Sequence, residues 1–382
     1  MKIGINALFN ASGGSWTNLQ QLLLDWEASC FHEKHDIIIF ASKSTFDNIK
    51  KLGLTKYNII LMKQCNNVFL RMLIEQIILP LLMLKHKLNV LFCPANTMPL
   101  LSHIPCVVTF QNAAPFCDNI NAASIGITKY LRLYLLGIFI KYSAKRARHV
   151  IFISKYFRDL LIEQYSFESK HGSVIYRAKT GDASLQNDID VKKKYGIDEE
   201  YIFSSSHLIS YRNIKELILG YSLAYKSSGS TLPGLYIAGG EEFVAGYKNE
   251  MQCLINSLSL KDNIYLLGSI PHGDIIVLLQ KCLFYIFTST CENCPTSLIE
   301  AMSAKRPIAC SNVGVMPEIA GKAAYYFNPY LPASISEAII FMSTSEEIRT
   351  NIQCHLEDEL TKFPTSQVNS ALTMNIIESA GL

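Results

Sequence analysis

The stretch that decides the fold is Cys291–Met302, CENCPTSLIEAM, in which Glu292 and Glu300 lie eight positions apart. The apolar run Leu283–Phe287 before it is typical of a buried strand, and residues 298–305 after it are mostly good helix formers. Glu292 is therefore predicted in a loop at the carboxyl end of a strand, and Glu300 about a turn and a half into the next helix. In an open α/β sheet, this is the place where ligands bind.

The same stretch favours a ligand that carries both phosphate and hydroxyl groups. Pro295 is preset for the first position of a helix. The free N–H groups at a helix start favour an anion such as a diphosphate. A carboxylate inside the helix does not help to hold phosphate, but it accepts hydrogen bonds from a sugar diol.

Length and composition predict a two-domain protein that is not membrane-spanning. The chain has 382 residues, 49% of them apolar, which is enough for two sizeable cores. No apolar run approaches the 18 residues of a transmembrane helix, and the first ten residues are too short and polar for a signal peptide. Eleven cysteines without framework spacing suit a reducing cytoplasm.

Basic charge is concentrated in the first half of the chain. Residues 1–180 carry a net charge of +11 and residues 181–382 a net charge of −8. No acid lies between Asp118 and Asp159, and a basic amphipathic helix is expected at about 127–149, with Lys141, Lys145 and Arg148 on one face. Such a helix suits an anionic membrane surface, although it can also be a core-packing helix with a charged edge.

Nucleic acid is not expected as a partner of this basic half. The chain has no zinc-finger spacing and no RNP-like aromatic motif, and its second half is acidic. We therefore expect a cytoplasmic protein, peripheral on the inner face of the membrane.

Strand-like and helix-like segments alternate throughout, which is typical of a parallel α/β architecture. The alternation breaks in the polar stretch Thr180–Asp190 and restarts at Tyr201–Ser205. We expect two Rossmann-like lobes with a cleft between them, formed by residues 1–180 and residues 181–364. Residues 365–382 are expected to form a helix near the lobe junction.

In these residues the chain resembles the retaining glycosyltransferases of the large family-4 type, which have the two-lobed GT-B fold. Glu292 and Glu300 match the E-x7-E signature of that family, and the matching block extends to Pro329. In the first half, Gly13-Gly14 and the sequence segments Val107–Asn112 and Ile151–Ser154 are similar to those of enzymes that build bacterial surface polysaccharides.

The resemblance implies that residues 1–180 bind the acceptor and that residues 181–364 bind the nucleotide-sugar. It also implies a role for each matching residue of the donor site. Glu292 would accept hydrogen bonds from the donor sugar, Glu300 would hold the ribose, and Arg212 would neutralise the leaving diphosphate. His207 takes a position where the family commonly has arginine, so less charge is available there. The remaining donor-side candidates are Asn213, Gly239, Asn293, Cys294, Thr296, Ser297 and Leu298.

The acceptor side is less well defined. Gly13, Gly14 and Gln111 are its candidates, and Gln111 stands where the family often has histidine. Since glutamine is not a general base, a front-face reaction, in which the leaving phosphate takes the acceptor proton, fits this substitution. Pro295 has no N–H and removes one potential donor to the sugar.

The resulting expectation is a retaining, metal-independent hexosyltransferase. It would move a sugar from a UDP- or GDP-linked donor to a lipid-linked or growing glycan in surface polysaccharide or lipopolysaccharide synthesis, without a cofactor. Two alternatives stay open: a non-catalytic nucleotide-sugar-binding subunit and a GT-B-fold epimerase. Metal sites at Cys291-x-x-Cys294 and at Asp188-Ile189-Asp190 are disfavoured by their surroundings.

Overall fold

The computed structural model describes residues 1–10, 13–63, 68–117, 120, 125–165, 172–179, 188–229, 231–240 and 246–382. The chain divides into two compact units. The first consists of Met1–Phe116, Leu131–Ala178 and Pro364–Leu382, and the second of Cys117–Tyr130 and Lys179–Phe363. Most of the predicted linker, residues 180–187, lies outside the described part of the chain.

The first unit is built on a parallel sheet of seven strands in the order β3-β2-β1-β4-β5-β6-β7. The strands are β1 Lys2–Ala7, β2 Asp36–Ala41, β3 Asn58–Leu61, β4 Val90–Cys93, β5 Cys106–Phe110, β6 His149–Phe152 and β7 Gly172–Val174. The central strands are buried along almost their whole length, as in β2, where five of six residues are buried. This burial explains their continuous apolar sequences, which are typical of strands covered on both faces.

The helices described around this sheet lie in all three segments of the first unit. One of them, Ile127–Arg146, begins in residues that belong to the second unit. The helices are α1 Gly13–Ala28, α2 Phe31–Lys34, α3 Lys43–Lys51, α4 Val68–Leu73, α5 Leu79–His86, α6 Ile127–Arg146 and α7 Lys155–Tyr165, with α16 Ser366–Gly381 at the end of the chain. A π-helical turn, Ile74–Ile78, joins α4 to α5.

The last helix, α16, packs on the first unit. The indole Nε1 of Trp26 donates to the carbonyl oxygen of Ser370 at 3.0 Å. The amide nitrogen of Asn369 donates to the carbonyl oxygen of Tyr176 at 2.7 Å. The helix is thus part of the first core, and its expected place near a lobe junction stays a prediction.

The second unit is built on a parallel sheet of six strands in the order β10-β9-β8-β11-β12-β13. The strands are β8 Tyr201–Ser205, β9 Gly234–Ala238, β10 Ile264–Gly268, β11 Phe284–Phe287, β12 Ile308–Ser311 and β13 Tyr325–Phe327. Its described helices are α8 Asp188–Tyr195, α9 Ile214–Ser227, α10 Tyr247–Ser257, α11 His272–Lys281, α12 Thr296–Ser303, α13 Met316–Ala320, α14 Pro332–Thr344 and α15 Glu346–Leu360. The strand order reverses between β8 and β11, and ligands bind at such a switch point in open α/β sheets.

Two features of the basic region differ from the prediction. Helix α6 ends at Arg146, so Arg148 is not on the helical face with Lys141 and Lys145. Its N–H instead donates to the carbonyl oxygen of Cys106 at 2.9 Å. In the described part of the chain, no helix combines the length and the apolar character needed to cross a membrane.

Candidate active site

The candidate donor residues gather at the carboxyl end of the second sheet, beside its switch point. The loop after β8 carries His207, Arg212 and Asn213, and the loop after β11 carries Glu292 and leads into α12. Backbone hydrogen bonds join the two loops, because the N–H of Thr290 donates to the carbonyl oxygen of Tyr211 at 2.9 Å. The topology therefore brings together residues that are eighty positions apart in the sequence.

Arg212 and Glu292 form an ion pair in direct contact. Both side chains are largely buried, with 17% and 12% of their surfaces exposed. The Arg212 guanidinium also donates to the hydroxyl of Ser289 at 3.3 Å, and the Arg212 carbonyl oxygen accepts from Thr288 at 2.7 Å. Burial lowers the pKa of Arg212 below its ordinary value. Arginine stays charged even so, and the site therefore holds a fixed cation against a fixed anion.

Tyr285, in the strand β11 predicted as apolar, connects the end of β8 to helix α12. Its hydroxyl lies 3.1 Å from both the hydroxyl and the carbonyl oxygen of Ser205, and it hydrogen-bonds the side chain of Ser297. Burial raises the pKa of Tyr285 to about 12, so the hydroxyl keeps its proton and can donate. Tyr285 thus supports the first turn of α12.

Helix α12 begins at Thr296, directly after Pro295. Because the Pro295 side chain has no hydrogen-bond acceptor, it leaves the N–H groups of the first turn to other partners. Ser297 is partly exposed and Leu298 is buried, so Leu298 can serve a ligand only through its backbone. This geometry suits an anion at the helix start.

Glu300 lies in α12 with 8% of its surface exposed, and its Oε1 is 2.8 Å from Nε2 of His272. His272 is the first residue of α11, and its side chain is 65% exposed. The hydrogen bond to Glu300 raises the pKa of His272 above its ordinary value of 6.5, and burial opposes the shift. His272 is not among the residues predicted from the sequence, because no motif marks it.

Gly239 holds the loop that carries His207. The N–H of Gly239 donates to the carbonyl oxygen of Gly268 at 2.8 Å, and the loop runs so close that a Cβ on Gly239 would overlap the carbonyl oxygen of Ser206. The N–H of Leu208 donates to the carbonyl oxygen of Gly240 at 3.0 Å. Gly239 therefore has a packing role in the backbone beside the site.

The other donor-side candidates have structural places as well. Asn213 adopts a left-handed conformation (φ 53°) at the start of α9, and its amide nitrogen donates to the carbonyl oxygen of Pro329 at 3.4 Å. Asn293 and Cys294 are 4% and 6% exposed. Their side chains are therefore packed inside the protein and do not face solvent.

The cysteines differ from the sequence-based expectation. Cys117 and Cys291, both in the second unit, form a disulfide across 174 residues. The expectation of a fully reduced set of cysteines is therefore wrong at this pair, which has a spacing that no sequence pattern marks. Cys291 pairs with Cys117 and not with its neighbour Cys294, which keeps its thiol.

The acceptor-side candidates gather around an arginine that sequence analysis missed. In the first unit, the Arg177 guanidinium donates to the carbonyl oxygen of Gly14 at 3.1 Å and to the side-chain oxygen of Gln111 at 2.8 Å. Gln111 in turn donates to the carbonyl oxygen of Pro94 at 2.6 Å. Gly13 starts α1 with φ +65°. Arg177 follows the three-residue strand β7 in a segment without a motif, so no sequence pattern marks it.

No cluster of three or more histidine, cysteine, aspartate or glutamate side chains suits a metal ion among the residues that the structure describes. The side chains of Asp188 and Asp190 lie outside the described set. Metal independence therefore stays a prediction.

A comparison with known proteins identifies the second unit. Residues 187–354, which include Arg212, Glu292 and Glu300, match the family model "Glycosyl transferases group 1". This segment, a little under half of the chain, is similar to the glycosyltransferases of group 1. The resemblance seen in the sequence is confirmed at this level.

Curated relatives match about half of the chain. The O-antigen chain mannosyltransferase RfbU of Salmonella typhimurium is 26% identical over 190 residues, which are 50% of this chain and 49% of the relative. The chain thus spans about half the length of the curated relative that it matches.

Solved structures match over almost the whole chain. A glycosyltransferase from Rickettsia africae has a TM-score of 0.74 at 15% identity, and the match covers 99% of this chain and 98% of that one. Anabaena HepE, solved in complex with UDP and glucose, has a TM-score of 0.71 at 16% identity and covers 99% and 100%. The predicted GT-B fold with two Rossmann-like lobes is confirmed.

Proposed function

We propose that this chain is a retaining glycosyltransferase that moves mannose from a nucleotide-diphosphate donor to a lipid-linked or growing glycan in surface polysaccharide synthesis. The observation that carries the proposal is the buried contact between Arg212 and Glu292 beside the start of α12. A cation, a carboxylate and a helix N-terminus together match the leaving diphosphate and the hydroxyls of a nucleotide-sugar. The mannosyltransferase relative supports mannose as the sugar.

Each charged group of the site has a separate task in this proposal. When a donor binds, its groups replace the contact between Arg212 and Glu292. The diphosphate pairs with the Arg212 guanidinium, and the sugar hydroxyls donate hydrogen bonds to the Glu292 carboxylate. Arg212 then faces the charge that grows on the leaving diphosphate, which is often the largest contribution to catalysis. The leaving phosphate oxygen accepts the proton of the acceptor hydroxyl on the same face of the sugar, so configuration is retained without a protein base or a metal.

The donor class is tested by thermal stabilisation. We expect GDP-mannose, the common activated form of mannose, to raise Tm by about 5–10 °C at 100 times its Kd, which corresponds to about 2.7 kcal/mol of binding linkage. UDP-glucose, which HepE binds in a solved complex, is the alternative donor measured in parallel. Glu300→Gln should abolish most of the shift with either donor. The absence of a shift with every nucleotide-sugar would refute the proposal, and an inverted anomeric product, detected by NMR, would refute retention.

We expect donor affinity to depend on the protonation of His272. When protonated, His272 holds Glu300 at 2.8 Å and competes with the ribose for the carboxylate. Because its folded-state pKa is raised above 6.5, the pairing contributes fully to stability below about pH 6.5 and is lost as pH rises through the raised pKa. Donor Kd should therefore fall as pH rises through that window.

Calorimetric titration with the nucleoside diphosphate between pH 6 and 9 measures this effect. The matched variant is His272→Asn, which cannot be protonated and should bind with little change across the range. An identical pH dependence in the wild type and the variant would exclude His272 as the cause.

On the acceptor side, the proposal assigns a positioning role to Arg177. Its guanidinium fixes Gln111 and the backbone at Gly14, the two elements expected to face the acceptor. An anionic group on the acceptor would find a cation there. A lipid-linked acceptor also requires the protein to reach a membrane surface, for which the basic helix α6 is the predicted element.

A further inference from the structure

Helix α4, the π-turn and α5 expose an apolar stripe on the first unit. The stripe consists of Leu70, Leu73, Ile77, Ile78, Leu81 and Leu84, which are 38–61% exposed. Apart from the adjacent pair Ile77 and Ile78, which lies in the π-turn, these positions recur every three or four residues, as expected for one side of a helical segment. On the opposite side, Ile74, Leu79 and Met83 are 4% exposed or less and face the core. One side thus packs in the protein, while a second apolar side faces solvent.

The stripe continues into a neighbouring apolar surface through the segment 98–101. The Gln76 side chain donates to the carbonyl oxygen of Met98 at 3.0 Å and accepts from the N–H of Leu100 at 2.8 Å. On its other side, the segment bonds to α6: Ser143 accepts from the N–H of Met98 at 3.3 Å, and Arg146 donates to the carbonyl oxygen of Leu100. Leu101, at the end of the segment, is 76% exposed.

Helix α6 adds exposed apolar side chains with helical spacing. Leu131, Tyr134 and Tyr142 are 55%, 58% and 55% exposed. Tyrosine is favoured at membrane interfaces, where its ring contacts the acyl region and its hydroxyl stays hydrated. Patches of this kind on a soluble domain mark an interaction site.

Charge decides which partner fits this surface. Residues 68–104 and 131–148 contain one acid, Glu75, which is 6% exposed and accepts a hydrogen bond from Thr97 at 2.9 Å. Burial raises the pKa of Glu75, so it adds little negative charge. The same two segments contain the cations Arg71, Lys85, Lys87, Arg132, Lys141, Lys145, Arg146 and Arg148. A second copy of the same surface would be repelled, whereas an anionic lipid surface would be attracted.

We propose that the apolar stripe of α4–α5 inserts into the acyl boundary of an anionic bilayer, with the surrounding cations at the level of the headgroups. The proposal deepens the proposed function, since it places the enzyme where a lipid-linked acceptor lies. It differs from attachment by the basic helix α6 alone, because insertion of apolar surface survives salt that screens charge.

The test uses the full chain and vesicles of phosphatidylglycerol and phosphatidylethanolamine. The triple variant Leu73→Ser/Ile77→Ser/Leu81→Ser should lower vesicle affinity roughly 100-fold or more. The matched control is Leu223→Ser/Tyr330→Ser/Leu331→Ser, which removes apolar residues of the second unit that are 43–54% exposed. This control should bind vesicles as the wild type does.

Two further measurements separate insertion from its rivals. Wild-type binding that persists in part at 0.5 M NaCl supports insertion, and complete loss in salt overturns it in favour of charge alone. An Ile77→Cys variant carrying an environment-sensitive dye should show a blue shift on vesicles. A triple variant that binds like the wild type, or a wild-type dimer that the triple variant converts to monomer, would overturn the proposal. Donor binding by the triple variant reports separately on the proposed function.

Discussion

Replacing Arg212 by alanine is expected to lower kcat for sugar transfer by about 10²–10³-fold, the loss typical of removing one group that stabilises transition-state charge. Arg212 is the cation in contact with Glu292, beside the start of α12. Initial rates with saturating donor measure the effect. Arg212→Lys is the matched control: it keeps the charge but loses the planar fork, and should recover part of the rate.

The same substitution should change stability in a way that identifies the ion pair. With Arg212 gone, the largely buried Glu292 carboxylate lacks its cation, and the loss in free energy of unfolding should be about 2–4 kcal/mol, below the range for a fully buried pair. Removing both charges, as in Arg212→Met/Glu292→Gln, should restore much of that stability without restoring activity. An Arg212→Ala variant with wild-type kcat would contradict the assignment of Arg212 to the leaving diphosphate.

The sequence predicted the fold well where strands are central and buried. β8 begins and ends at the predicted residues, and β11 begins one residue after the start of the predicted run Leu283–Phe287, because parallel strands covered on both faces have unbroken apolar sequences. The edge strands β3 and β13 were missed: they have three or four residues, most of them only half-buried. Helix α1 begins at Gly13, a residue type that does not mark a helix start in the sequence.

The sequence predicted which residues form the candidate site better than it predicted the contacts among them. The spacing of Glu292 and Glu300 placed both at a strand–helix junction, but their partners come from elsewhere in the fold: Arg212 from the loop after β8 and His272 from the start of α11. Such contacts depend on strand order, which local patterns do not encode. The apolar stripe was hidden for a related reason: periodicity shows that a helix is apolar on two sides, and only the packed structure shows which side faces solvent.

Gly239→Ala is expected to reduce both activity and stability although it touches no charged group of the site. A Cβ at this position would overlap the backbone carbonyl oxygen of Ser206, and backbone cannot move aside as a flexible side chain can. The strand end or the loop after β8 must therefore shift. Because that loop carries His207 and leads into Arg212, we expect kcat/KM to fall about 100-fold, as displacements near 1 Å can cause.

A second glycine provides the matched control for this prediction. Gly229, in the same unit, also has a positive φ of 64°, but an added Cβ would meet no atom within 4 Å. Gly229→Ala should therefore cost only backbone strain of about 1 kcal/mol and keep full kcat/KM. If Gly239→Ala lost stability but kept its kcat/KM, the loop after β8 would tolerate the shift, and the close approach at Gly239 would serve the fold alone. A parallel loss of donor affinity and rate would tie the position of the loop to the chemistry of Arg212.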